Sequence, residues 1–193
     1  MNPKAPNLRL PRLYKTLLAL ALVLGPMAWL LFTLDGQRRT DLALMALLGR
    51  PAFDAALDAF SDRLTETSLR QTFPALTLDC GRIRPPFGDR LCTAAIGSFN
   101  HYPARALSLY FQGERLYAVK VVYQPAYHLQ IRAWVEQRPA RTTPGDTQPD
   151  AGVRSRPVAD GTLVMKDGPL GRTDEPALLW LSAGLAAASP LDR

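Results

Sequence analysis

The sequence predicts an α+β fold: one N-terminal transmembrane helix, then a small domain in which an antiparallel sheet is covered on one face by two amphipathic helices. Three observations predict it. Thr16 to Leu34 runs for 19 residues without a charge. Apolar and polar residues alternate in several short runs between Ala75 and Ser182. Two longer segments, opening at Pro51 and Pro125, repeat their apolar residues at helical spacing. A chain of 193 residues that is 47% hydrophobic and 21% charged has the composition of a globular protein with one modest core.

Residues 1–15 form a basic leader, expected on the cytoplasmic side: Lys4, Arg9, Arg12 and Lys15 fall here, and no acid precedes Asp35. Removing those four from the 23 basic residues leaves 19 against 17 acids, so the net charge of +6 belongs largely to the leader. A nucleic-acid-binding domain concentrates positive charge on its own folded face, and nucleic acid is therefore not an expected partner.

Residues 16–34 (TLLALALVLGPMAWLLFTL) would span ~28 Å as a helix, close to the thickness of a bilayer's hydrocarbon core. Met27, Ala28, Trp29 and Leu30 follow Pro26 where a signal peptide would carry small residues, so an uncleaved anchor is expected. The span tolerates Gly25-Pro26, because neighbouring groups or a local 3₁₀ adjustment absorb the freed carbonyl. Arg38, Arg39 and Arg50 follow it, which leaves only a slight positive-inside bias toward a cytosolic N-terminus. Residues 35–50 are a juxtamembrane segment, apolar and helix-favouring from Asp41 to Gly49.

The exterior domain is expected over residues 51–185. Pro51 suits the first turn of a helix, and Phe53, Ala56, Leu57, Phe60 and Leu64 recur on one helical face up to Arg70. On the same helix Asp54, Asp58, Asp62 and Glu66 recur every four residues, an acidic ridge that could dock a basic partner segment despite its self-repulsion.

Ala75–Cys80 and Cys92–Phe99 read as strands flanking a loop, and Ala106–Phe111 with Leu116–Tyr123 as a hairpin around Gln112-Gly113-Glu114. Pro125 opens the second helix, with Tyr127, Ile131, Trp134 and Val135 on one face and an end before Pro139. Residues 139–157 are Pro-rich and almost free of apolar side chains, which predicts a flexible loop. Gly161–Lys166 and Ala177–Ser182 read as a returning strand pair anchored by Trp180, and residues 186–193 as a disordered tail.

Cys80 and Cys92 are the only cysteines. Zinc ligands come in closely spaced pairs, and His101 and His128 sit at irregular distances from the thiols; a redox pair would use a C-x-x-C turn. A disulfide is the expected state, stabilising by roughly 3 kcal/mol in the loop-entropy model, and it implies an oxidising compartment. The loop it closes carries Arg82, Arg84 and Arg90 around Pro85-Pro86 with Phe87 at its tip, a stiff cationic surface suited to an anionic headgroup, a glycan or a partner protein.

Motifs for catalysis are missing. Ser98 has Ile96 and Asn100 where a nucleophile elbow needs glycines, and there is no P-loop lysine motif and no H-E-x-x-H. His128 is expected at a solvated helix position or as a hydrogen-bonded surface imidazole. No catalytic residue, metal or cofactor is expected. The expected function is non-catalytic: a single-pass protein of the inner (cytoplasmic) membrane, its domain in the periplasm or exterior, binding another envelope protein in a scaffolding or assembly-accessory role. Two alternatives stand beside it: an envelope enzyme or small-molecule binder with a pocket near Trp134 and Trp180, and an inverted topology with a cytoplasmic regulatory domain.

Overall fold

A computed structural model describes residues 11–55, 60–84, 88–138 and 152–188. The chain divides into two compact units, Met1–Asp41 and Leu42–Arg193.

In the first unit, α1 (Arg12–Phe32) is 21 residues long with Pro26 inside it and none of its residues buried. It is long and apolar enough to span a membrane. Thr33 ends it by adopting an extended backbone (φ −103°, ψ 146°). The Thr33 hydroxyl donates to the Trp29 carbonyl at 2.7 Å and accepts the Gly36 N–H at 3.1 Å, so one side chain stops α1 and caps the start of α2 (Leu34–Leu47).

The second unit is built on one nine-stranded sheet: β1 (Ala52–Phe53), β2 (Asp79–Arg82), β3 (Arg90–Ala95), β4 (Ser98–Phe99), β5 (Tyr102–Gln112), β6 (Arg115–Tyr123), β7 (Val153–Val158), β8 (Gly161–Lys166) and β9 (Ala177–Ser182). The main path runs β1-β4-β5-β6-β9-β8-β7, with β2 joined through β3 to β5. Every pairing is antiparallel except β1 with β4, which is parallel, so the sheet is mixed and not purely antiparallel as expected.

The two hairpins on β5 show how sequence selects turns. Gly113 supplies the positive φ (61°) between β5 and β6, whereas Asn100 and His101 both adopt positive φ (47° and 64°) between β4 and β5. Asn suits that conformation; His101 is held there in part because its N–H donates to Asp54 Oδ1 and the Asn100 side-chain amide donates to the Ala55 carbonyl.

Alternation sorts the long strands by face. Leu107, Leu109, Val119, Val121, Tyr123, Leu163, Met165, Leu178 and Trp180 turn inward and are buried. The expected helix at Pro125 forms as a 3₁₀ turn (Pro125–Tyr127) leading into α4 (His128–Glu136), whose Ile131 and Val135 are buried in the same core. Trp180 anchors β9 as expected, its ring 5.9 Å from Phe60.

Several expectations are corrected. No helix runs from Pro51 to Arg70. Ala52 and Phe53 instead form β1, and among the described residues of this segment helix appears only at α3 (Glu66–Thr72), where Thr65 and Ser68 exchange side-chain-to-backbone hydrogen bonds in a capping box. Of the apolar residues expected on the helix face, Ala56 and Leu57 lie outside the described residues, while Phe53 packs on Phe60, Phe73 and Phe99. In place of the two long amphipathic helices expected, α4 and the short α3 contribute Ile131, Val135 and Leu69 to the core among the described residues. The strand expected at Ala75–Cys80 sits later, at Asp79–Arg82. Within the expected flexible loop of residues 139–157, Val153–Val158 form β7, an edge strand that carries Arg154, Arg156 and Pro157 against further pairing; residues 139–151 lie outside the described residues. The expected disordered tail begins too early, because α5 (Ala183–Ala188) includes its first three positions.

Candidate functional site

The two cysteines stand at disulfide distance: Cys80 and Cys92 face each other directly across the β2–β3 ladder, 2.00 Å from sulfur to sulfur. Arg82 and Arg90 are the next directly opposed pair on the same face of the ribbon, an arrangement of like charges that would repel if left alone. Glu66 relieves it. At the first position of α3 its carboxylate pairs with Arg90 at 2.8 Å and with Arg70 at 2.9 Å, and Arg70 also donates to the Leu78 carbonyl and the Cys80 sulfur.

One acid of the expected ridge and one arginine of the expected cationic loop are thus bonded to each other. Glu66 and the two sulfurs form a grouping of metal-ligating atom types, but the sulfurs are spent on each other and the carboxylate on two arginines, so the donors do not fit a metal ion. The same geometry protects the disulfide. A thiolate attacking the half-exposed Cys80 would have to expel the sulfur of Cys92, which is fully buried, and that same burial bars attack on Cys92 itself.

The other expected site residues are dispersed. Asp54 accepts the His101 N–H, and Asp62 lies 3.7 Å from Arg115 across an exposed contact. Arg82 and Arg84 are exposed and make no ion pair among the described residues. Asp58 and Phe87 lie outside the described residues. Among the described residues Asp54, Asp62 and Glu66 form no ridge, since no one helix carries them.

His128 is corrected from a solvated position to a buried one, 3% exposed. Its Nε2 lies 2.8 Å from the Gly168 carbonyl, which can only accept, so Nε2 carries the proton and Nδ1 accepts the Tyr123 hydroxyl at 2.7 Å. Burial pushes the Tyr123 phenol above its ordinary range. The chain β6–Tyr123–His128–Gly168 pins α4 to the β8–β9 connection. Beside it, a hydrogen bond from Arg154 holds the Asp167 carboxyl below the usual carboxylate range, with Arg132 adding to the effect. Both imidazole nitrogens are engaged, which leaves no lone pair for a substrate proton.

A surface that sequence reasoning missed lies on the opposite face of the sheet. The outward positions of β5, β6, β9 and β8 line up by register: Tyr110 beside Ala118 beside Leu181, then Lys120 beside Leu179 beside Val164. They floor a groove of about 720 Å³, rimmed by Lys120 paired with Glu175 and Lys166 paired with Asp174. The hydrogen bond from Lys166 holds Asp174 below the usual carboxylate range. Apolar residues at the outward positions of β9 (Ala177, Leu179, Leu181) were the available signal: a strand with both faces apolar asks for cover on both. Neither tryptophan of the expected pocket lines this groove. Trp180 is in the core, and Trp134 packs edge-on to Phe99 and under the Arg138 guanidinium, 4.3 Å away.

Comparison with protein-family models, with curated proteins and with solved structures gave no match in any of the three.

Proposed function

We propose that this chain is a single-pass protein of the cytoplasmic membrane whose domain, outside the cytosol in the periplasm or its equivalent, binds another envelope protein without catalysis, as a scaffold or assembly accessory. The disulfide supports the exterior location, because reducing compartments keep such pairs as thiols. The observation that carries the binding role is the outer sheet face. Leu179, Leu181, Val164 and Tyr110 are half-exposed there, on a floor lined by no helix among the described residues, while the charged groups at the rim already neutralise one another. A protein segment offering apolar side chains, with peptide groups to meet the rim, matches that surface. The arginines 82 and 84 add a cationic patch apart from the groove floor.

A second reading is favoured by the groove's volume, which lies in the range of small-molecule sites: an apolar ligand bound on the same floor. Photocrosslinking residues placed singly at Leu179, Leu181 and Leu129 in intact membranes test and separate these. A discrete protein adduct from positions 179 and 181, not from the exposed Leu129, and persisting in an Arg84→Glu background, is expected. Adducts of small-molecule mass from 179 and 181 would favour the second reading. Equal labelling from all three positions would remove the groove from either role.

A further inference from the structure

We infer that α2 lies in the interfacial zone of the membrane with Leu44, Leu47 and Leu48 among the acyl chains, so that lipid is a second docking surface of this chain beyond the span. The inference rests on α1 being inserted. A single residue, Thr33, separates α1 from α2, and one residue reaches less than ~4 Å, so α2 starts where the apolar span stops. Trp29 in the last turn of α1 and Arg39 over its ring, 5.5 Å from the centroid, form the aromatic and cationic pair typical of the headgroup level.

The first turn of α2 also packs tightly onto α1. Any side chain at Gly36 would collide with the Trp29 carbonyl and the backbone of Leu30. At ~100° per residue, Leu44, Leu47 and Leu48, the last in the turn that follows α2, fall within one arc of ~100°. The leucines thus form one stripe along α2, and Asp35, Arg38 and Arg39 lie on the opposite side of the helix, paired at 2.7 and 3.1 Å.

Exposure concentrates on this face. Leu44, Leu47 and Leu48 are 49%, 84% and 63% exposed, and beyond them the second unit exposes only Leu129 and Val153 to a comparable extent among its large apolar side chains, among the described residues. Three bare leucines within five positions mark a contact, and for a helix tethered directly to a span the available contact is lipid. Residues 33–50 carry Arg38, Arg39 and Arg50 against Asp35 and Asp41, so docking is driven by apolar contact and not by anionic lipid.

The test uses the full chain with its native disulfide, spin-labelled at a single added cysteine (Leu22→Cys, Leu44→Cys, Leu47→Cys or Ala46→Cys) and reconstituted in phosphatidylcholine vesicles with and without phosphatidylglycerol. Labels at 44 and 47 are expected to relax with oxygen and not with a water-soluble nickel chelate, the label at 46 to do the reverse, and neither pattern to depend on phosphatidylglycerol. Nickel access at 44 and 47 equal to that at 46 overturns the inference, as does shielding from both reagents, which would mean that protein covers the face. The label at 22 reports the span separately: if it meets oxygen while 44 and 47 do not, only the interfacial docking fails; if it meets nickel, the anchor fails and the docking with it.

Discussion

Replacing Tyr123 by Phe removes one oxygen from a site that is 1% exposed and leaves the His128 Nδ1 without a donor 2.7 Å away. Orphaning a buried acceptor costs about 1–3 kcal/mol. His128→Leu should cost more, because it strands two groups, the Tyr123 hydroxyl and the Gly168 carbonyl. In the double variant the hydroxyl and the imidazole disappear together, and only the carbonyl is left without its partner. The combined loss should therefore fall short of the sum by about 1–2 kcal/mol, within the range measured for residues in direct contact. For a domain of this size each kcal/mol moves Tm by roughly 2–4 °C, so Tyr123→Phe alone should lower it by about 4–8 °C at the middle of its range. Differential scanning calorimetry on the four proteins of the cycle reads this directly. Losses that add to within ~0.5 kcal/mol, or a Tyr123→Phe variant as stable as the parent, would refute the closed hydrogen-bond chain and reopen His128 as a group available for chemistry.

Removing the disulfide by Cys80→Ala with Cys92→Ala should cost roughly 3 kcal/mol of loop entropy, lowering Tm by about 6–12 °C, and added reductant should then change the variant no further. Asp167 and Asp174 both have folded pKa values below their unfolded value near 3.8, so the stability they contribute is complete above that pH and is lost as pH falls through the folded values. Denaturant midpoints should accordingly drop as the pH is taken below about 4. Asp167→Asn should flatten part of that drop while weakening the protein at pH 7, and high salt should blunt both effects because the pairs are exposed.

Where the sequence was legible, one physical signal acted alone. Nineteen uncharged residues leave no alternative to a long apolar helix, and the turn at Gly113 between two alternating runs could form only a hairpin. It misled at Pro51–Arg70 because Phe53, Ala56, Leu57 and Phe60 satisfy helical spacing, yet Phe53 is held by strand pairing to Phe99 and by a cluster of four phenylalanine rings gathered from distant parts of the chain. Tertiary contact overrode local period. The capping pair Thr65 and Ser68 marked the true helix start and was outweighed by the louder apolar pattern.

The candidate site failed to be legible for a related reason. Glu66 and Arg90 lie 24 positions apart and belonged to two separate surfaces by sequence, and only the fold brings their charges together. The two apolar faces of β9 hinted at a covered surface, but the groove itself needs four strands in register, and the order β6-β9-β8 joins strands distant in sequence. β7 was hidden by Pro157 and two arginines, the very residues that make it tolerable at an edge.

The most direct test of the whole is the state of the two sulfurs where the protein is made. Intact cells are treated with a membrane-permeant maleimide, lysed, reduced, and treated with a heavier maleimide before mass analysis of the peptides containing Cys80 and Cys92. A domain folded outside the cytosol carries only the heavier label at both positions; the lighter label at both would show that the thiols were free, and would place the domain on the other side of the membrane.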